Sequence, residues 1–323
     1  MSNFSSIATA ATFAKIALPE MLKRGYEPGF AAGTVAAGGA LKSLIPPSLI
    51  MVLYCVVANT FILDLFVAAI VPAILVVIFN LSAIALYAYF NPAAAPVSPR
   101  ASWDERRAAL RGAIPAAMLI VCVFGGLYSG IFTVNEAASV AAVLALIFAL
   151  VRGRLGWATI SEGLLEAARV SAMIYIVVFG AAVFGYFMTV AHVPEALVAV
   201  VQGFGLPPTL TIFALLVAYI ILGAVFDEIS AMLITLPFVL PIITALGYDP
   251  IWWGVINVII IELGLIVPPI GLIVFVLHGM APQISLKAIY RGVTPFIAAD
   301  VLLLTLLTLV PGIAMWLPKL TAQ

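Results

Sequence analysis

Two short segments carry the residues best able to do chemistry. Gly38-Gly39 and Lys42 run into Leu44-Ile45-Pro46-Pro47-Ser48, and Glu262 with Gly264 runs into Val267-Pro268-Pro269. Proline lacks a backbone donor and clashes with the preceding turn, so each Pro-Pro pair breaks the helix it interrupts. The glycines ahead of each pair permit unusual backbone angles. Inside an apolar stretch, carbonyls freed by such a break are costly unless they line a cavity or hold a ligand. Oxygen ligands without histidine suit a hard alkali cation such as sodium. A purely structural proline kink is the alternative for either segment taken alone.

A second set of residues lies where hairpins are expected to turn. Ser5, Ser6 and Thr9 open one descending arm, and Asp227, Glu228 and Ser230 open another. Exposed N–H groups and the helix dipole favour anions at such starts, so a carboxylate held between the two tips is one reading. Small-residue helix packing for Ser5, Ser6 and Thr9, and plain capping by Asp227 and Glu228, are the others. Lys42, Glu262 and Asp300 are charges placed within apolar runs, which marks them for function by default. Lys42 can pair with a carboxylate, bind a negative substrate or stand in for a cation, and a structural ion pair is the bland alternative. Glu136, three residues after Thr133, fits a helix cap.

Membrane helices must position these groups. Apolar residues make up 65% of the 323, charged residues 9%, and the mean hydropathy is +1.26. A soluble domain needs roughly a quarter of its residues charged. Spans of about 20 apolar residues are expected at Phe30–Val57 (interrupted), Phe66–Phe90, Ile114–Tyr128, Ala137–Val151, Val170–Val190, Leu210–Leu246 (a re-entrant hairpin), Ile251–Leu277 (interrupted) and Pro295–Leu317. Asn91–Arg111 reads as an exposed linker, and Trp157–Ala168 and Pro194–Phe204 as helices lying in the interface. With Lys15, Lys23 and Arg24 on the cytoplasmic side, every one of the 14 Lys and Arg except Lys42 and Lys319 falls on that side, as the positive-inside rule asks.

The chain also repeats itself. At one ungapped offset Leu18-Pro19 matches Leu240-Pro241, Gly25-Tyr26-Glu27-Pro28 matches Gly247-Tyr248-Asp249-Pro250, and Ile45-Pro46-Pro47 matches Val267-Pro268-Pro269. The first Gly-Tyr turn neighbours basic residues and the second does not, so the copies are expected on opposite sides, an inverted repeat of the kind secondary transporters use. The same offset sets Ser5-Ser6 opposite Asp227-Glu228, which makes the first residues a hairpin tip and leaves the arm leading into it outside the chain. The fold class expected is an all-α polytopic membrane protein with inverted repeats, re-entrant hairpins and broken helices. Net charge is zero, which argues against nucleic acid as a partner. Cys55 and Cys122 lie in apolar runs and His192 and His278 far apart, so neither a disulfide nor a metal centre is expected, and no enzyme motif is present.

The segments Ser5–Thr12, Ala32–Gly39, Leu44–Ser48, Gly130–Thr133 with Glu136-Ala137-Ala138, Phe226-Asp227 and Glu262–Gly271 resemble the large membrane (permease) subunit of TRAP (tripartite ATP-independent periplasmic) transporters. The resemblance runs through nearly the whole chain. It implies an elevator-type fold of the ion transporter superfamily, a bacterial inner (cytoplasmic) membrane location, a small four-helix membrane subunit and a periplasmic substrate-binding protein as partners, and an organic acid substrate. No cofactor is implied beyond sodium as coupling ion. Carried onto this chain, the first sodium site uses Ser5, Ser6, Gly39 and the break from Leu44 to Pro47. The second uses Asp227, Gly264, Val267 and Pro268. Substrate is expected near Ser5, Ser6, Thr9, Lys42, Ser48 and Asp227. On this reading residues 1–58 hold the first hairpin remnant and broken helix, and 59–111 a membrane helix and linker. Residues 112–206 hold scaffold helices and interfacial arms, 207–280 the second hairpin and broken helix, and 281–323 the last membrane helix. Two departures stand out. Lys42-Ser43 occupies a place where the family usually has glycine, and roughly the first quarter of the family's subunit has no counterpart here. The rival readings are an elevator anion carrier without a binding protein, a channel, a membrane enzyme and a truncated, non-transporting fragment.

Overall fold

The computed structural model describes residues 6–96, 102–153 and 156–321, and the described residues are helical throughout with no strand. The first half runs through α1 (Ser6–Lys23), α2 (Pro28–Ala40), a 3-10 turn (Leu41–Leu44), α3 (Leu49–Ala58) and α4 (Ile62–Phe90). Next come α5 (Trp103–Tyr128), α6 (Val134–Val151), α7 (Trp157–Val190) and α8 (Val193–Gly203). The chain closes with α9 (Pro208–Val225), α10 (Glu228–Ala245), α11 (Pro250–Gly264), α12 (Leu272–Met280), α13 (Leu286–Leu309) and α14 (Gly312–Thr321). Among the described residues seven helices are long and apolar enough to cross a membrane, and α2 with its 3-10 turn and α3 form an eighth, bent span with an angle of 43°. The chain is a multi-pass membrane protein.

Both Pro-Pro pairs sit where the sequence expects helices to break. Pro46-Pro47 lies between the 3-10 turn and α3, and Pro268-Pro269 between α11 and α12. The repeated turn is reproduced bond for bond. Gly25 and Gly247 both adopt a φ of +82°, and Tyr26 and Tyr248 donate their N–H groups back to Met21 and Ile243, each at 3.1 Å. That is a glycine-terminated helix end, and Pro28 and Pro250 then open the next helix, where a missing N–H costs nothing. Packing repeats as well. The arm α1 lies on α12 and the arm α10 on α3, while α2 packs on α13 and α11 on α4. Each repeat therefore leans on the far half of the other, and the correspondence extends to α4 and α13, which pack together.

Several boundaries differ from expectation. The linker Asn91–Arg111 is helical from Trp103, because Ser102 and Glu105 close a reciprocal capping box that starts α5 ahead of its apolar run. Trp157–Ala168 is not a separate interfacial helix. It continues into the span as the 34-residue α7, with no proline between them to break it. The last span begins at Leu286, capped by Ser285, and Pro295 lies inside it; α14 is a separate helix after Pro311.

The chain divides into two compact units, residues 1–96 with 174–323, and residues 97–173. Within the smaller unit α5 packs on α6, Phe132 fills the space a side chain on Gly126 would take, and Thr133 with Glu136 caps α6 in a second capping box. The larger unit holds both breaks and both arms.

Candidate functional site

The site is assembled around the first residue of α1. Ser6 is fully buried, and its backbone N–H donates to Glu228 Oε1 at 3.2 Å. Its hydroxyl donates to Glu262 Oε1 at 2.9 Å. Ser43 Oγ lies 3.1 Å from Ser6 Oγ, and since the single hydroxyl proton of Ser6 goes to Glu262, Ser43 donates here. One residue thus joins the tip of the first arm, the tip of the second, the turn before the first break and the helix before the second.

Local sequence explains why each group arrives there. Glu228 is the first residue of α10, and its neighbour Asp227 caps that helix by accepting from the N–H groups of Ile229 and Ser230, each at 3.1 Å. With Asp227 spent on its own helix, Glu228 turns inward at 3% exposure and meets the N-terminus of α1, where the dipole favours a carboxylate. The separation of Ser6 and Glu228 is 222 residues, the offset of the repeat itself. Equivalent residues that touch each other lie on the axis relating the two copies, so the tips meet on that axis. Asn80 and Asp300, bonded at 3.1 Å and 220 residues apart, lie close to it too.

Charge in this core is unbalanced. Lys42, on the 3-10 turn, places its ammonium within electrostatic range of Glu228 and Glu262. Glu228 Oε2, Glu262 Oε2 and Ser48 Oγ are buried without a hydrogen-bond partner among the described residues. Such orphaned oxygens are uncommon in native proteins and each one requires a reason. Ser48 follows the first Pro-Pro pair directly, which puts a buried hydroxyl oxygen without a partner among the described residues beside the break.

Of the residues the sequence singles out, Ser6, Lys42 and Glu262 come together. Thr9 is half-buried one turn below Ser6, and Leu44 is buried. Gly39 lets α2 touch α1, because a Cβ there would stand 2.5 Å from Ala10 Cβ. Gly264 does the same for α11 and α9, where a Cβ would meet Gly223 at 2.6 Å. Pro47, Pro268 and Asp227 are exposed and Val267 half-buried. No hydrogen bond ties Val267 or Pro268 to the Ser6 cluster among the described residues. Ser5 lies outside the described residues. Sequence reasoning missed three partners. Ser43 and Asn80 are polar residues in apolar runs with no spacing to mark them. Tyr290 donates to the freed carbonyls of Pro269 at 3.2 Å and Ile270 at 2.6 Å. Only the repeat offset, which pairs Ser6 with Glu228, carried a signal.

Two arms meeting tip to tip, each beside a helix broken in mid-span around a buried polar core, define the membrane subunit of a secondary transporter. Comparison with known proteins supplies the family. Residues 4–313 match the family model described as the tripartite ATP-independent periplasmic transporter, DctM component. The chain is 33% identical over 316 residues to the C4-dicarboxylate TRAP transporter large permease protein DctM of Pseudomonas aeruginosa, covering 98% of this chain and 73% of that one. It is 31% identical to the 2,3-diketo-L-gulonate TRAP transporter large permease protein YiaN of Escherichia coli, covering 96% and 72%. With the isethionate TRAP transporter permease protein DctMQ of Oleidesulfovibrio alaskensis it shares 32% identity over 97% of its own length and 49% of that longer chain. This chain belongs to the DctM family and is a transporter permease subunit, not an enzyme.

Proposed function

We propose that this chain carries a small organic anion across the inner membrane in a sodium-coupled, elevator-type uptake system, with a periplasmic binding protein to deliver the substrate and a small four-helix membrane subunit as scaffold partner. The observation that carries the reading is the Ser6 junction, which ties both tips to both broken helices. A ligand that closes or orders one tip is felt at the other through these bonds, and a ligand moves a two-state carrier only through its differential affinity for the states. Sodium enters as a co-transported ion. Its first site is assigned to Ser5, Ser6, Gly39 and the Leu44–Pro47 break, and its second to Asp227, Gly264, Val267 and Pro268. The buried, unpartnered Ser48 oxygen supports an oxygen-liganded occupant at the first break, because such an atom is otherwise left unsatisfied.

Substrate is assigned to the space at the tips, near Ser5, Ser6, Thr9, Ser48 and Asp227. The three relatives named above are titled for dicarboxylate, keto-acid and sulfonate anions, which supports an anion here. Lys42 faces two carboxylates, and that setting favours a charge-balancing role over substrate contact. The test is uptake by proteoliposomes holding this chain with its partner proteins. The expected result is accumulation that needs an inward sodium gradient. Equal accumulation in sodium and in choline contradicts the coupling.

A further inference from the structure

A trough runs between α4 and α13 and shares no residue with the Ser6 cluster. It encloses about 510 Å³, within the size range of pockets that take a small-molecule ligand. Residue size gives it its shape. Pro295 and Ala298 of α13 are short, whereas the exposed side chains of Ile78, Leu86 and Phe90 rise from α4 as the opposite wall. Buried Ala83 and Ala299 form the floor and belong to one core cluster with Phe30, which stacks on Tyr87 at 4.4 Å. That packing fixes the floor in advance, which lowers the ordering cost of binding. The polar side chains of the lining are engaged. Ser82 donates to the Ile78 carbonyl at 2.7 Å, Asn91 to that of Tyr87 at 3.4 Å, and the Tyr87 hydroxyl to Glu27 Oε2 at 3.1 Å. From Ile78 to Phe90 the wall extends about 18 Å at 1.5 Å per residue. A hydrocarbon core is about 30 Å thick, so the trough spans a single leaflet.

One end of the trough is charged. A Cβ on Gly29 would stand 2.6 Å from the Ala288 carbonyl oxygen, and Tyr87 reaches Glu27. The start of α13 and the end of α4 therefore both abut the turn after α1, which Lys23 and Arg24 place on the cytoplasmic side. At 100° per residue, Lys287, Arg291, Pro295, Ala298 and Leu302 fall within an arc of about 80° on α13. Arg291 thus lies one turn from Pro295 on the face that lines the trough. Helix side chains lean toward the N-terminus, which directs its guanidinium to headgroup depth. Arg291 and Lys287 are exposed, and neither forms an ion pair among the described residues. The acids at this end are engaged, Glu20 with Arg24 at 3.1 Å and Glu27 with Tyr87. An apolar trough one leaflet long, ending at two exposed cations, is complementary to a lipid with an anionic headgroup. We propose that the trough binds one anionic phospholipid of the cytoplasmic leaflet, with an acyl chain along α4 and α13 and its phosphate held by Arg291 and Lys287. Any apolar helix face meets bulk lipid; the concave wall and the two cations make this position selective. Since α2 touches the start of α13 through Gly29, Gly33 and Gly292, the bound lipid braces the broken helix of the first repeat.

The test is thermal unfolding of the purified chain in detergent micelles with added lipid, read by tryptophan fluorescence. Native mass spectrometry counts the lipid retained, and reads it even for a variant of low midpoint. Phosphatidylglycerol is expected to raise the midpoint saturably and to remain as a single adduct, whereas phosphatidylcholine at equal mole fraction does neither. Arg291→Gln is expected to raise the half-saturating phosphatidylglycerol about fivefold, the equivalent of about 1 kcal/mol per basic residue near an anionic surface. Ala298→Phe fills the trough from an exposed position without touching a charge, and loses both the midpoint rise and the adduct. Arg169→Gln removes a cation from α7 and keeps the wild-type response. Equal effects of the two lipids, a full response in Ala298→Phe, or equal losses in Arg169→Gln and Arg291→Gln overturn the proposal. So does a midpoint rise with glycerol phosphate alone, because a headgroup without a chain then suffices. A lipid-free midpoint that climbs with protein concentration puts a second copy on the trough and overturns it as well. The site depends on the fold and the membrane location, not on sodium coupling, so failure of sodium-driven uptake leaves it standing.

Discussion

Ser6 holds the centre because it is small enough to be buried whole and carries two donors. Its N–H and its hydroxyl both donate to the second repeat, at Glu228 and Glu262, and its hydroxyl oxygen accepts from Ser43 of the first. Around it stand Glu228 and Glu262, with Lys42 the positive charge opposite them. Removing that charge leaves two buried carboxylates to repel. Exposed ion pairs contribute under about 1 kcal/mol and breaking fully buried ones costs about 3–5 kcal/mol. Lys42 is half-buried, so Lys42→Met is expected to destabilise the chain by on the order of 2 kcal/mol. Lys42→Met with Glu228→Gln is expected to recover most of that loss. A double-mutant cycle by thermal unfolding checks this, and additive losses contradict the pairing. The sequence marked Lys42 and Glu262 because charges stand out in apolar runs. It did not mark Ser43, Asn80 or the inward turn of Glu228, because a serine or asparagine among leucines has no periodicity that says what it faces, and a glutamate after an aspartate reads first as a cap.

At the scale of elements, the arrangement depends on breaks and close approaches. The Pro-Pro pairs and the Gly-Tyr-acid-Pro turns were legible because proline and glycine dictate backbone geometry wherever they occur, and their repetition at one offset gave the pairing of arms. The correspondence of α4 with α13 was not legible, since apolar helices of similar composition give no register. The starts of α5 and α7 were misread because capping and the lack of a breaker decide helix ends, not hydropathy. Gly264 is the sharpest test here. A methyl group there must push against the Gly223 backbone, and overpacking a tight contact costs about 1–3 kcal/mol. Gly264→Ala is therefore expected to lower both thermal stability and uptake rate. Gly279→Ala, on α12 with open space around its Cβ position, should do neither. Equal behaviour of the two variants contradicts the packing account of the second arm.

Across the whole molecule, the halves are interlocked: each arm rests on the far half of the other repeat, and the tips meet on the axis between them. On the proposed function, an ion bound at either break would act on the shared tip space, and that is the coupling the proposal requires. Membership of the DctM family fixes the chain as a transporter subunit, and sodium coupling is the proposal that measurement tests. The most direct measurement is labelled-sodium entry recorded alongside substrate uptake in the same proteoliposomes, for wild type and for Ser6→Ala. The account predicts that sodium enters with the substrate and that Ser6→Ala depresses both together. Substrate uptake without sodium entry, or wild-type rates of both in Ser6→Ala, contradicts it.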